Sequence, residues 1–240
     1  MRPHPLLNRY YSNEEERQRR VRSWFDQSAP HYDDITQAMS FGSGHWFRRY
    51  TLERAGLAPG SAVLDVACGT GVLTAQARTI VGPGGRVVGL DPSFGMLAEA
   101  RRRDGPRLVR ALAEAIPFAD ASFDLVTMGY ALRHVADLET TFAEYRRVLR
   151  PGGRVLILEI TPPRSRILFA LLRAYMRRVV PMLARRHGAV PGELMAYYWD
   201  TIEQCVEPTA ILGALRSTGF AHADRRVELG VFSEYAAVAA

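Results

Sequence analysis

The sequence contains no lysine: every one of its 31 Lys-or-Arg positions is arginine. That absence points to an arginine-biased coding background rather than to a function. Cysteine is nearly absent too. Cys68 and Cys205 are the only two, which gives neither a disulfide framework nor a metal-ligand pattern and fits a reducing compartment. No metal site is expected. No uninterrupted apolar run reaches the roughly 18 residues a membrane-spanning helix needs. The opening stretch MRPHPLLNRYYSNEEERQ lacks the apolar core of a secretory leader. The expected location is cytoplasmic, with room for peripheral contact at the inner membrane face. No repeat, low-complexity tract or interdomain linker is visible, so residues 1–240 are expected to form one domain.

What is present starts with a formal charge of +6 and a pI near 9.7, which permits anionic partners without specifying one. Nucleic acid is not expected, because no basic stripe interleaved with aromatics appears. The 48% hydrophobic content is enough for one sizeable core. Oligomeric state is not readable.

The central stretch is Ser61–Thr74, SAVLDVACGTGVLT. Ala62, Val63 and Leu64 read as a buried strand ending near Asp65. The loop Ala67-Cys68-Gly69-Thr70-Gly71 follows, where two glycines let the backbone turn tightly and approach a ligand. A helical pattern begins at Val72, and its N-terminus suits a nucleotide-like ligand. A dinucleotide fingerprint wants a third glycine where Thr74 stands, which disfavours a nicotinamide dehydrogenase. The next strand, Arg86–Leu90, ends in Asp91, a candidate for a ribose diol. Asp65 would repel a pyrophosphate but suits an ammonium group. S-adenosylmethionine (SAM) has an ammonium, a ribose diol and no phosphate. A carboxylate at each strand end beside glycines is costly unless something binds it.

Along the chain, residues 1–12 read as a loose arm and Glu14–Gln27 as a helix, with Arg17–Arg22 on a solvated face. The first 50 or so residues are expected to cover the cofactor crevice, with His45 and Trp46 packing that cover onto the core. Strands are expected at 62–66, 86–90, 107–110, 124–129 and 154–160, with helices between them and a closing hairpin over 221–227 and 230–237. This is an α/β pattern: a doubly wound, mostly parallel seven-stranded sheet, Rossmann-like, with an N-terminal helical cover. Residues 162–208 break the rhythm and read as a helical lid over the substrate. Within them Arg166–Arg186 is a long helix kinked near Pro181, expected to pack its apolar residues on the core with arginines outward. Contact with a membrane interface is the alternative.

Four further stretches sharpen the reading: Ala113–Phe118 with Ser122–Asp124, a loop where an adenine edge would lie; Met128–Val135, at the carboxyl edge of the fourth strand, where ligands bind in open α/β sheets; Arg147–Arg154, which ends a helix and turns on Pro-Gly-Gly into the fifth strand; and that strand, Val155–Ile160, which carries Glu159. Here a resemblance becomes specific. Tyr32-Asp33, Met39-Ser40 and His45-Trp46 together resemble the N-terminal signature of the ubiquinone/menaquinone biosynthesis C-methyltransferase family, class I SAM-dependent methyltransferases. RVLRPGGRVLILEIT over Arg147–Thr161 resembles its second signature. The similarity runs from about Val21 to Phe232. This chain departs from the family at Leu112 (usually Asp), His134 (usually Asn), Cys68 and Val72 in the loop, Ile35-Thr36, Arg150 and Thr161.

The resemblance implies a SAM-dependent enzyme, with S-adenosylhomocysteine as product, that methylates a ring carbon of a prenylated quinol. It implies cofactor contacts from Asp65, Ala67, Gly69, Gly71, Asp91, Pro92, Met96, Ala113 and Glu114. Carbon is a weak nucleophile until the neighbouring hydroxyl loses its proton, so a base or a cation facing phenolate is needed. Arg133 is expected to stabilise phenolate and His134 to take the proton or orient the hydroxyl. The competing reading pairs Arg133 with Glu159 or Asp137 and makes His134 a helix cap. Tyr32 is a further catalytic candidate, and Tyr130 and Tyr197 are expected to touch substrate. A C- or O-methyltransferase of specialised metabolism is the alternative within enzymes, and a SAM-binding protein without turnover is the alternative outside them.

Overall fold

The computed structural model describes residues 1–39, 43–103 and 107–240. Ser40, Phe41 and Gly42, and the side chains of Ser43 and His45, lie outside the described residues, and with them the expected packing of His45. Among the described residues seven strands form one sheet: β1 (Ala62–Val66), β2 (Arg86–Leu90), β3 (Arg107–Val109), β4 (Phe123–Gly129), β5 (Leu149–Ile160), β6 (Phe220–Glu228) and β7 (Phe232–Ala239). Their order is β3-β2-β1-β4-β5-β7-β6, parallel except that β7 runs antiparallel to β5 and β6. All five residues of β1 are buried. Alternate side chains point to opposite faces of a strand. Leu64 and Val66 therefore join one apolar layer with α5 (Leu138–Val148) and α9 (Pro208–Ser217). Val63 joins the other with α2 (Ser43–Arg54) and α3 (Val72–Val81). Burial on both faces is why these strands read as continuous apolar runs.

The ladder of β4 with β5 already begins at Phe123 and Leu149, then slips so that Leu125 faces Arg154. The Pro151-Gly152-Gly153 segment is thus a bulge within β5 and not a turn ahead of it, with Gly152 at φ +75°.

A third apolar cluster lies off the sheet. The helix α1 (Glu14–Met39) packs there with α6 (Arg166–Ala174), a five-residue wide turn at Tyr175–Val179, α7 (Val180–Ala184) and α8 (Ala189–Glu203). The expected break falls at that wide turn, just ahead of Pro181.

α1 is longer than the expected Glu14–Gln27, because the chain continues helically through Pro30. Proline removes the N–H that would bond to the Asp26 carbonyl. That carbonyl instead faces α4 (Phe94–Arg102), where a Cβ on Gly95 would lie 2.5 Å from it. The Asp26 carboxylate accepts from Gly95 N at 2.8 Å and Ser93 Oγ at 2.6 Å. A proline that reads as a helix stop therefore marks a docking point.

The arm is not loose. Leu7, Tyr10 and Tyr11 are buried, the Met1 amino group pairs with Asp137 and Glu139, and Val206 N donates to Pro3 O at 2.8 Å. Trp46 does not pack inward: it is 62% exposed and stacks on Tyr50, while Phe47 fills the core beside Phe232.

Candidate active site

A cavity of about 360 Å³ opens at the carboxyl ends of β1, β2 and β4, under α1. This is where ligands bind in open α/β sheets. Its floor is the loop after β1. Gly69 and Gly71 have φ +56° and +80°, and Ala67, with a side chain, is held at φ +52°. Such a position costs free energy for a residue with a Cβ and is retained where surrounding structure imposes it. A Cβ on Gly69 would meet nothing within 4 Å, so that stretch of backbone faces open space. Gly71 does not border the cavity. It lets the loop turn into α3 against Ala100, whose Cβ would be 3.2 Å from a Cβ at Gly71.

Asp65 is fully buried. Its Oδ2 accepts from Thr74 Oγ1 at 2.6 Å and its Oδ1 from Thr127 Oγ1 at 2.8 Å. Thr74, standing where a dinucleotide loop has glycine, is thus the hydroxyl that holds the carboxylate. Asp91 accepts from Gly69 N at 2.9 Å and Ser93 N at 2.8 Å. Loss of hydration outweighs these bonds and pushes both carboxyls up to about 6. The expectation that such carboxylates need a ligand is corrected in part, since protein donors occupy one lone pair on each oxygen. No cation pairs with either among the described residues, and further lone pairs remain.

Pro92, Met96, Ala113 and Glu114 also line the cavity. Glu114 accepts from Ala136 N as well, tying the wall to the segment before α5. Leu112 borders the same wall, half in solvent.

The opposite end is aromatic. Phe25, Tyr32, Tyr130, His134, Tyr198 and Phe232 contribute. Tyr130 follows β4 at φ +61° with its hydroxyl buried and unpartnered among the described residues. The His134 ring packs against Phe25 and Tyr197, and both of its nitrogens are buried without a partner among the described residues. Burial, with Arg133 and Arg17 nearby, drives its pKa well below the usual value. It is a neutral imidazole able to accept or donate a hydrogen bond, and a poor store for a proton. It caps no helix. That task falls to Asp137, which accepts from Thr140 N at 2.9 Å.

Two expected residues sit elsewhere. Arg133 is fully buried behind the wall, ion-paired with Glu159, 3.3 Å from Thr201 Oγ1 and over the Tyr198 ring. It does not border the cavity. Its cation answers a buried carboxylate, as a buried charge requires. Tyr197 is also behind the wall, packed among Tyr10, Tyr11 and Trp24, and its neighbour Tyr198 takes the facing position.

Three site residues escape the sequence reading. Arg48 on α2 lines the cavity with its guanidinium 5.2 Å from the Tyr130 ring centroid, and has no ion pair among the described residues. Asp33 ties α1 to the glycine loop by accepting from Thr70 Oγ1, and pairs with Arg103. Arg17 is not on a solvated face: it is 4% exposed and donates to the carbonyls of His134 and Val135, each at 3.1 Å. The buried stripe Arg17-Val21-Trp24-Ser28 has helical spacing and could have revealed it.

A SAM-like group fits this donor set. Buried carboxylates lacking a cation, backbone that admits close approach and a partly apolar wall are complementary to a ligand carrying cationic charge and a ribose. Solved structures that share the fold include a SAM-dependent methyltransferase from Thermotoga maritima, with a TM-score of 0.64 at 16% identity over 92% of this chain and 100% of that one. Another, from Aquifex aeolicus, gives 0.59 at 18% identity over 80% and 89%. The shared fold is that of the class I SAM-dependent methyltransferases.

The sequence model of the ubiE/COQ5 methyltransferase family matches residues 12–237, and the chain belongs to that family. It is 34% identical over 219 residues to the demethylmenaquinone methyltransferase of Mycobacterium sp. (strain KMS), covering 91% of this chain and 93% of that one. It is 38% identical over 175 residues to the ubiquinone/menaquinone biosynthesis C-methyltransferase UbiE of Hahella chejuensis, covering 70% of each.

Proposed function

We propose that the protein transfers a methyl group from SAM to a ring carbon of a prenylated quinol, of the demethylmenaquinol type. One observation carries the reading: a single cavity has uncompensated carboxylates and a glycine loop at one end, and an aromatic wall with unpartnered polar groups at the other. SAM, when bound, supplies an electrophilic methyl group and leaves as S-adenosylhomocysteine. Asp65, Asp91 and the loop Ala67–Gly69 would hold it, with Pro92, Met96, Ala113 and Glu114 completing that end.

Phe25, Tyr32 and Tyr198 clamp the acceptor ring, and holding the partners at contact distance can lower the barrier by roughly 7–11 kcal/mol. Arg48 stabilises the phenolate left when the hydroxyl proton passes to solvent, the task first expected of Arg133; the ring carbon takes the methyl group and its own proton then leaves to solvent, restoring the aromatic ring. His134 and Tyr130 hydrogen-bond the ring oxygens. Arg133 acts through its neighbours, holding Tyr198 in place. The helices over 162–208 serve as a lid only through α8, which supplies Tyr198.

The test is a panel of reduced acceptors with and without isoprenoid tails, scored for S-adenosylhomocysteine. His134→Asn is expected to bind SAM normally and to turn over more slowly. Full turnover by this variant would remove His134 from the mechanism.

A further inference from the structure

The segment from Ile160 to Gly192 contains seven arginines and not one Asp or Glu. Two of the arginines are committed, Arg173 to Glu203 and Arg177 to Asp200. The other five, Arg164, Arg166, Arg178, Arg185 and Arg186, have no ion pair among the described residues. A surface helix needs one apolar stripe to face a core. Here Phe169, Leu172, Met176 and Val180, spaced at i, i+3, i+7 and i+11, already pack against α1 and α8. The expectation that the apolar residues turn to the core with arginines outward accounts for that stripe alone.

A second apolar stripe remains. Ile167 is 74% exposed, Leu168 54%, Leu171 62% and Met182 55%. No residue of α6 is fully buried. Large apolar side chains left in water beside unpaired cations form the pattern of a helix lying in the plane of a bilayer surface.

We propose that this face of α6 and α7 docks on an anionic lipid bilayer, with Ile167, Leu168, Leu171 and Met182 entering the acyl boundary and the unpaired arginines meeting the headgroups. The charge selects lipid over a second copy of the chain. A two-fold contact would set the same acid-free, arginine-rich surface against itself.

The geometry behind the face agrees. A second cavity of about 170 Å³ lies between α1 and α7, lined by apolar Ile35, Ala38, Val180 and Leu183 together with Asp34, Arg186 and His187. Met39 borders both this cavity and the active-site cavity. An apolar tail could run from the site past Met39 to the docking face. That route rests on the quinol reading, whereas the docking surface does not.

The experiment is co-sedimentation of the full chain with vesicles of phosphatidylglycerol mixed into phosphatidylcholine, and with pure phosphatidylcholine vesicles, at low and high salt. The wild type is expected to bind the anionic vesicles, and to bind pure phosphatidylcholine and high-salt samples about tenfold less or weaker still. The exposed-residue variant Ile167→Ser/Leu168→Ser/Leu171→Ser should keep the wild-type melting temperature and SAM affinity while losing at least about tenfold in vesicle binding. The charge variant Arg166→Glu/Arg178→Glu should lose binding to a similar degree. Failure of the wild type to bind anionic vesicles, or unchanged binding by the apolar variant, overturns the proposal. So does a concentration-dependent dimer that the apolar variant abolishes. None of these outcomes depends on methyl transfer, so docking can fail while the quinol reading stands.

Discussion

The guanidinium of Arg48 faces the Tyr130 ring at 5.2 Å, and both residues line the cavity, Arg48 with no ion pair and the Tyr130 hydroxyl with no hydrogen-bond partner among the described residues. One arrives on α2, ahead of the sheet, and the other just past β4, at a positive φ. Their meeting supplies a cation and a hydroxyl at the aromatic end of the site. Arg48→Met should reduce kcat roughly ten- to hundredfold while leaving SAM affinity near wild type, because a preorganised charge facing developing phenolate acts mainly in the transition state. Tyr130→Phe should leave the melting temperature unchanged or slightly raised, since its hydroxyl has no partner to lose, yet should lower turnover. Kinetics with a tailed quinol, alongside calorimetry with SAM, separates the two effects.

Asp65 and Asp91 make the ligand-free protein less stable than its fold allows. Their carboxyls titrate near 6 when folded and near 3.8 otherwise. The folded chain therefore binds more protons across that window, and stability falls as pH rises from about 4 to about 6. Asp65→Asn should relieve about 2–3 kcal/mol of this at pH 8, with the gain fading below about pH 4, and should abolish tight SAM binding. Thermal melts across pH check it. A less stable Asp65→Asn at pH 8 would mean that the two threonine bonds outweigh the cost of burial.

Cofactor affinity should carry the opposite pH signature. If the ionised carboxylates receive the ligand, SAM affinity is full above about pH 7 and drops as pH falls through 6. At pH 5 it is about tenfold weaker for each carboxylate required. Calorimetry over that range reads it directly, and Asp65→Asn should flatten the part due to Asp65.

The legibility of the fold followed burial. β1 and β2 were readable to the residue because strands covered on both faces are unbroken apolar runs. The extent of α1 was not, because Pro30 carries a local stop signal that tertiary docking at Gly95 overrides. In the site, Asp65, Gly69 and Asp91 could be placed because loop chemistry is local. Arg133 and Arg48 could not be told apart, since which arginine meets Glu159 and which meets the cavity depends on pairing across distant segments. Tyr197 and Tyr198 differ by one residue, about 100° around a helix, and composition cannot choose between two tyrosines.

Arg17 offers a sharper contrast between position and type. Arg17→Met should cost about 2–4 kcal/mol, because it leaves two carbonyls and Glu14 without their partner. Arg19→Met, two residues on, removes only an exposed contact at 4.0 Å to Glu15 and should be nearly silent. Denaturant midpoints of the two variants decide whether the arginine run of α1 is a solvated face or the clamp on the His134 segment.

The most direct test of the central claim is product analysis with methyl-labelled SAM and a reduced, isoprenoid-tailed demethylquinol. The account predicts one S-adenosylhomocysteine per product, with the label on a ring carbon beside a hydroxyl. Label on oxygen, or no transfer to any quinol by protein that binds SAM, would contradict it.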